Sequence, residues 1–69
     1  MALFFNGYNI RPDHISAVSS VADQGSQQLK GRYTVDVLLV GGQSIRASFD
    51  EEGLAIKTQG EAKTAAGFI

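Results

Sequence analysis

The chain has 69 residues, a formal net charge of −1, 43% hydrophobic residues and no cysteine. This length fits one domain over residues 1–69, and the composition is typical of a folded globular chain. The absence of cysteine excludes disulfides and thiolate metal sites, and the near-neutral charge argues against a strongly basic nucleic-acid binder. The sequence shows neither a long apolar run nor a signal-peptide pattern, so we expect a cytoplasmic protein without membrane contact.

The first predicted element is a β-hairpin around Asn6-Gly7. This dipeptide favours a two-residue type I′ turn, because both central positions need a positive φ. The predicted pairs are Phe5–Tyr8, Phe4–Asn9 and Leu3–Ile10. Because side chains alternate along a strand, one side of the hairpin would be apolar. That side would carry Leu3, Phe5, Tyr8 and Ile10.

Pro12 interrupts the strand pattern, since proline fixes φ and lacks a backbone donor. We therefore expect a turn or a single 3₁₀ turn over residues 11–14. Strand character resumes over residues 15–21, and the broken alternation at Val18 predicts a β-bulge. The polar segment over residues 23–31 contains two glycines and is predicted to be an exposed, mobile loop.

Residues 32–49 predict a second β-hairpin around Gly41-Gly42. A two-residue turn would place the apolar Val37 opposite Arg46. A three-residue loop over residues 41–43 would instead give one continuous apolar face, so we predict this register. The predicted pairs are Leu39–Ile45, Val37–Ala47 and Val35–Phe49. The opposite face would carry Thr34, Asp36, Leu38, Val40, Ser44, Arg46 and Ser48.

The C-terminal segment predicts a helix across the sheet. Asp50 is the expected N-cap, and Glu51 and Glu52 suit the positive end of the helix dipole. An apolar arc follows the helical repeat and is formed by Leu54, Ala55, Thr58, Ala62, Ala65, Ala66 and Ile69. A strand over residues 54–58 is the alternative. The predicted fold class is α+β, an antiparallel β-meander of three to five strands with one C-terminal helix packed on a face.

Few residues of this chain are suited to catalysis. Asp13-His14 beside Ser16 comes nearest to a nucleophile and base, but a turn followed by an edge histidine accounts for it more simply. The acidic run over residues 50–52 is typical of a helix start rather than of a metal site. Gly41-Gly42 lacks the lysine and the following helix of a phosphate loop. We therefore expect no enzymatic activity, no metal and no cofactor.

Two kinds of partner remain open. Leu38 and Val40 are apolar and expected to be exposed beside Arg46, which favours binding of a protein partner or self-association. An open edge strand could also bind a partner strand by β-augmentation. A nucleic-acid surface is the alternative, because cations and aromatic faces bind phosphates and bases. Its candidate residues are Lys30, Arg32, Tyr33, Arg46 and Lys57.

The N-terminal segment resembles a known family. Phe5-Asn6-Gly7 followed by residues 10–15, Ile-Arg-Pro-Asp-His-Ile, is similar to the opening of the small FlbD-type flagellar regulatory proteins. Arg11 stands where that family usually has asparagine, and the loop over residues 23–31 is longer here. The resemblance implies the same architecture and a small bacterial or phage protein. The function hypothesis is therefore a non-enzymatic protein-binding module that acts as a regulator or accessory protein.

A second resemblance is local. Residues 45–49 and 55–62 are similar to a stretch of the tryptophan-activated RNA-binding attenuation protein family. This resemblance implies rings of all-β subunits that bind RNA, with Lys57 as an RNA-contacting lysine and a strand over residues 54–58. Gln59 stands where that family has arginine, and the threonine and histidine of its tryptophan pocket are not reproduced.

Overall fold

The computed structural model describes residues 2–28 and 30–69. Within these ranges it contains six β-strands, one 3₁₀ turn and one α-helix. The elements are β1 (Leu3–Phe5), β2 (Tyr8–Ile10), the 3₁₀ turn (Pro12–His14), β3 (Ile15–Val18), β4 (Ala22–Asp23), β5 (Tyr33–Leu39), β6 (Ser44–Phe49) and α1 (Glu52–Ala66). The predicted α+β fold with antiparallel strands and one C-terminal helix is confirmed.

The strands form two antiparallel sheets. β1 and β2 pair with each other, and the other four strands form the main sheet. In the main sheet β5 is central, β6 lies along one of its edges, and β3 and β4 follow one another along the other edge. The helix α1 packs on one face of this sheet, and β1 also contacts it.

The first hairpin has the predicted pairs Leu3–Ile10, Phe4–Asn9 and Phe5–Tyr8. Asn6 and Gly7 adopt φ values of 49° and 82°, as a type I′ turn requires. The Asn6 side-chain nitrogen Nδ2 donates a hydrogen bond of 2.9 Å to the Arg46 carbonyl oxygen, which ties the turn to β6. Phe5 is fully buried, whereas Tyr8 is exposed although the pattern placed it on the same side.

The strand predicted over residues 15–21 is divided in two. The Ser19 N–H donates to the Asp36 carbonyl oxygen, and the Ser19 hydroxyl accepts from the Asp36 N–H, both at 2.8 Å. At Ser19 a side-chain hydroxyl therefore replaces the backbone carbonyl as one of the two ladder partners, and β3 ends at Val18 while β4 begins at Ala22. The bulge lies between Ile15 and Ala17 rather than at Val18.

The second hairpin differs from the predicted register. The observed pairs are Tyr33–Phe49, Val35–Ala47 and Val37–Ile45. The Leu39 N–H donates to the Gln43 carbonyl oxygen at 2.7 Å, so the three-residue loop is 40–42 rather than 41–43. Each strand partner shifts by two residues, which leaves every side chain on its predicted face.

The helix α1 begins without the predicted cap. Glu51 is the N-cap residue and makes no side-chain capping bond. Asp50 instead accepts a hydrogen bond of 2.7 Å from the Gly31 N–H, so its carboxylate is held by the preceding loop. The helix ends at Ala66, and the C-cap residue Gly67 adopts a left-handed conformation with φ 83°. The alternative strand over residues 54–58 is wrong, because these residues are helical.

The core lies between α1 and the main sheet. Phe5, Val35 and Val37 are its largest fully buried side chains. Ala55 and Ala62 are the buried helix residues, and their small side chains allow the helix to approach the sheet closely. Leu54 belongs to the predicted apolar arc but is 50% exposed, and Ile69 is also exposed. The buried part of the helix is therefore narrower than predicted.

Candidate protein-binding surface

The outer face of the main sheet is the face turned away from α1. Along β5 the side chains alternate between the core and this outer face. Leu38 therefore lies on the outer face and is 42% exposed, and Val40 follows it in the loop with 69% exposure. Asp36 and Arg46 are cross-strand partners on the same face.

An ion pair fixes the position of Arg46 on the outer face. Arg46 Nε lies 2.8 Å from Asp36 Oδ1, and Arg46 Nη2 lies 3.2 Å from Asp36 Oδ2. This two-point contact holds the guanidinium in one orientation. The hydrogen bonds from Arg46 lower the pKa of the Asp36 carboxyl below its ordinary range. The structure thus places Leu38 and Arg46 on the outer face, and Val40 is exposed in the loop that follows β5.

The other end of the outer face is covered by the chain before β5. Thr34 is buried there and accepts a hydrogen bond of 3.1 Å from Gln24 Nε2. Gly31 lies against Ser48 so closely that a Cβ on Gly31 would be 3.0 Å from the Ser48 Cβ. The exposed apolar part of the outer face is therefore restricted to the end near Leu38 and Val40.

The predicted nucleic-acid residues are not brought together. Arg32 pairs with Asp23 through Nε and Oδ1 at 2.7 Å, and its guanidinium lies 5.2 Å from the centre of the Tyr33 ring. Tyr33 packs against the core on the helix side of the sheet, whereas Arg46 lies on the outer face. The two lysines of the set are also apart: Lys57 belongs to α1, and Lys30 lies in the exposed segment before β5.

The residues weighed for catalysis are placed at the edge of the main sheet. His14 and Asp13 are exposed in the 3₁₀ turn. The Ser16 hydroxyl donates a hydrogen bond of 3.2 Å to the Leu38 carbonyl oxygen and not to the imidazole. Across residues 2–28 and 30–69, no group of three or more histidine and carboxylate side chains is arranged to hold a metal ion.

An apolar groove between β1 and α1 was not predicted. It has a volume of about 850 Å³, and Leu3, Phe4 and Ile69 are among its lining residues. Lys57 and Glu61 stand beside it on the helix. The sequence signal that could have indicated this groove is Phe4, an aromatic residue on the hairpin face opposite Phe5, and the structure shows it 69% exposed.

Comparison with known proteins gives no relative: no family model, no curated protein and no solved structure matches this chain. In the part of the chain that the structure describes, no helix is long and apolar enough to cross a membrane.

Proposed function

We propose that this chain is a small non-enzymatic protein-binding module, a regulator or accessory protein, and that the outer face around Leu38, Val40 and Arg46 is its contact surface. The observation that carries the proposal is the contrast between the two faces of one sheet. The helix α1 covers the inner face, whereas Leu38 on the outer face and Val40 in the loop that follows it are exposed to solvent. Exposed apolar surface of this kind marks interaction sites more often than scattered single residues do.

The outer face offers apolar side chains that can supply binding energy and charged side chains that can orient a partner. Full burial of a leucine or valine side chain contributes about 1.5–3 kcal/mol. Because Leu38 and Val40 are exposed, a partner that covers them would gain part of this energy on binding. Asp36 and Arg46 add both signs of charge at the rim, which favours one orientation of a partner. A surface with both signs can also meet its own copy across a two-fold axis. The partners proposed are therefore another protein or a second copy of this chain.

The nucleic-acid alternative has less support. Both of its arginines are held by ion pairs within the chain, because Arg32 pairs with Asp23 and Arg46 pairs with Asp36. Binding to phosphates would have to compete with these carboxylates. If the alternative holds, affinity for a short RNA should fall steeply as salt is raised.

The proposal is tested by a capture experiment with paired variants. Immobilised wild type is exposed to a bacterial lysate containing an isotope-labelled second copy of the chain. The outer-face variant carries Leu38→Asp and Val40→Asp. The control variant carries Leu54→Asp and Ile56→Asp, which replace helix residues of similar exposure, 50% and 53%.

We expect at least one protein, the labelled copy included, to be retained by the wild type and the control variant. The outer-face variant should lose it, because a partner would have to bury two new carboxylates. Retention of the same proteins by all three, or retention of none, would contradict the proposal.

A further inference from the structure

A second cleft lies on the other side of the β5–β6 loop from the outer face. It is formed by β2, the 3₁₀ turn and the start of β6, and it has a volume of about 660 Å³. Leu39 and Ile45 supply apolar lining. Arg11, His14, Gln43 and Ser44 line it with groups that can donate hydrogen bonds. The cleft therefore combines apolar surface with several hydrogen-bond donors, as small-ligand sites do.

The cleft is unbalanced in charge. Arg11 makes no ion pair within residues 2–28 and 30–69, whereas Arg32 and Arg46 are each paired with an aspartate. No aspartate or glutamate is among the residues that line the cleft. A guanidinium that is not already neutralised is available to bind an anion from solution.

Backbone hydrogen bonds hold the walls of the cleft together. The His14 N–H donates to the Arg11 carbonyl oxygen at 2.9 Å, and the Val40 N–H donates to the His14 carbonyl oxygen at 2.8 Å. The 3₁₀ turn is thereby fixed to the β5–β6 loop. Because these bonds use only the main chain, the side chains of Arg11 and His14 can be changed without removing them.

We propose that this cleft binds an oxyanion, a carboxylate or a phosphate, carried on an apolar body. The guanidinium of Arg11 offers paired N–H donors that match either oxyanion, and the imidazole of His14 adds a further donor. The apolar body would lie against Leu39 and Ile45. This site needs neither Leu38 nor Val40, so it stands or fails separately from the outer face.

The test uses phenyl phosphate and phenylacetate as probes and benzyl alcohol as the neutral control. Each is titrated into ¹⁵N-labelled protein, and amide shifts are followed by NMR. We expect at least one anion to cause saturable shifts at residues 11, 14, 43 and 44, with benzyl alcohol binding at least about tenfold more weakly. The preferred anion identifies the source of the ligand as a phosphate or a carboxylate.

Variants separate a specific site from general charge attraction. Arg11→Gln should weaken binding of the preferred anion by about tenfold or more, because one charge-assisted contact is lost. Lys57→Gln removes one positive charge from an exposed position on α1, away from the cleft, and should leave the affinity unchanged. His14→Gln should weaken binding by an intermediate amount. The spectrum of each free variant reports whether it is folded. Absence of saturable shifts with both anions, equal binding of benzyl alcohol, or equal losses for Arg11→Gln and Lys57→Gln would overturn the proposal.

Discussion

Gly31 and Gly60 are two positions at which we expect the same substitution to have opposite effects. Gly31 has φ 66°, and an added Cβ would lie 3.0 Å from the Ser48 Cβ. Gly60 lies inside α1 with nothing within 4 Å of an added Cβ. We expect Gly31→Ala to lower the free energy of unfolding by about 1–2 kcal/mol or more, and Gly60→Ala to raise it by about 1 kcal/mol. Urea unfolding measures both, and a change of the same sign in the two variants would refute this reasoning.

Asp36 links stability to pH. The hydrogen bonds from Arg46 lower the pKa of Asp36 in the folded chain, so its stabilising contribution is present above the unfolded pKa of about 3.9. That contribution is lost as the pH falls through the lower folded value. The stability difference between wild type and Asp36→Asn should therefore shrink as pH falls from about 6 to about 2. Urea unfolding across this range tests it, and parallel pH curves for the two proteins would contradict it.

Individual residues were predictable where their roles are local. Asn6-Gly7 specifies its own turn, because few other residues accept two positive φ values in succession. The role of Asp50 was not predictable from its neighbours. Its carboxylate is occupied by the Gly31 N–H, a contact between residues 19 positions apart. Likewise, Arg46 could be placed on the outer face from alternation, but its pairing with Asp36 depends on the hairpin register.

At the scale of elements, the first hairpin is joined to the core through one of two adjacent phenylalanines. Phe5 is fully buried, whereas Phe4 points away from the core and is exposed. We expect Phe5→Leu to cost about 1–3 kcal/mol, because it leaves a cavity under the hairpin. Phe4→Leu should change stability by less than about 0.5 kcal/mol. Thermal unfolding of both variants is the measurement, and similar losses would show that the hairpin is not attached through Phe5.

The helix is attached through alanines, which makes it sensitive to added volume. Ala62 is fully buried, and Thr64, two residues further along on the other side of the helix, is exposed. Ala62→Leu should destabilise the protein by about 1–3 kcal/mol, because the helix would have to move outward. Thr64→Leu should be close to neutral, since leucine favours the helix and has room there. If Ala62→Leu is tolerated equally well, the helix is not packed as closely as described.

The register of β5 and β6 shows why the apolar pattern of the sequence was insufficient to predict the pairing of the two strands. Loops at 40–42 and 41–43 both place Gly41 and Gly42 in the turn, and both keep Val35 and Ala47 on the core side. Apolar periodicity therefore cannot distinguish them. The hydrogen bond from the Val40 N–H to the His14 carbonyl oxygen accompanies the observed loop, and it joins segments that are distant in sequence. The apolar arc of the helix was likewise insufficient to predict which residues are buried. Leu54 lies in that arc, but the buried side of the helix is the one that carries Ala55 and Ala62.

For the whole molecule, the fold class followed from the order of the elements and from one polar and one apolar face per strand. The division into two sheets did not, and the contact between the first hairpin and β6 joins Asn6 to Arg46, which are far apart in sequence. The outer face was predicted from alternation, whereas the two clefts were not. Each cleft is formed by segments from both halves of the chain, and no local pattern indicates such a meeting.

The central claim is that this protein associates through apolar contacts on the outer face rather than through charge. Light scattering tests it most directly, with wild type and the Leu38→Asp, Val40→Asp variant measured over a salt series, with and without a short RNA. We predict a mass that RNA does not change and that salt does not lower, because apolar contacts are not weakened by screening. Any mass above that of the monomer should be lost in the variant. A mass that rises with RNA at low salt and falls back as salt is added would contradict the claim.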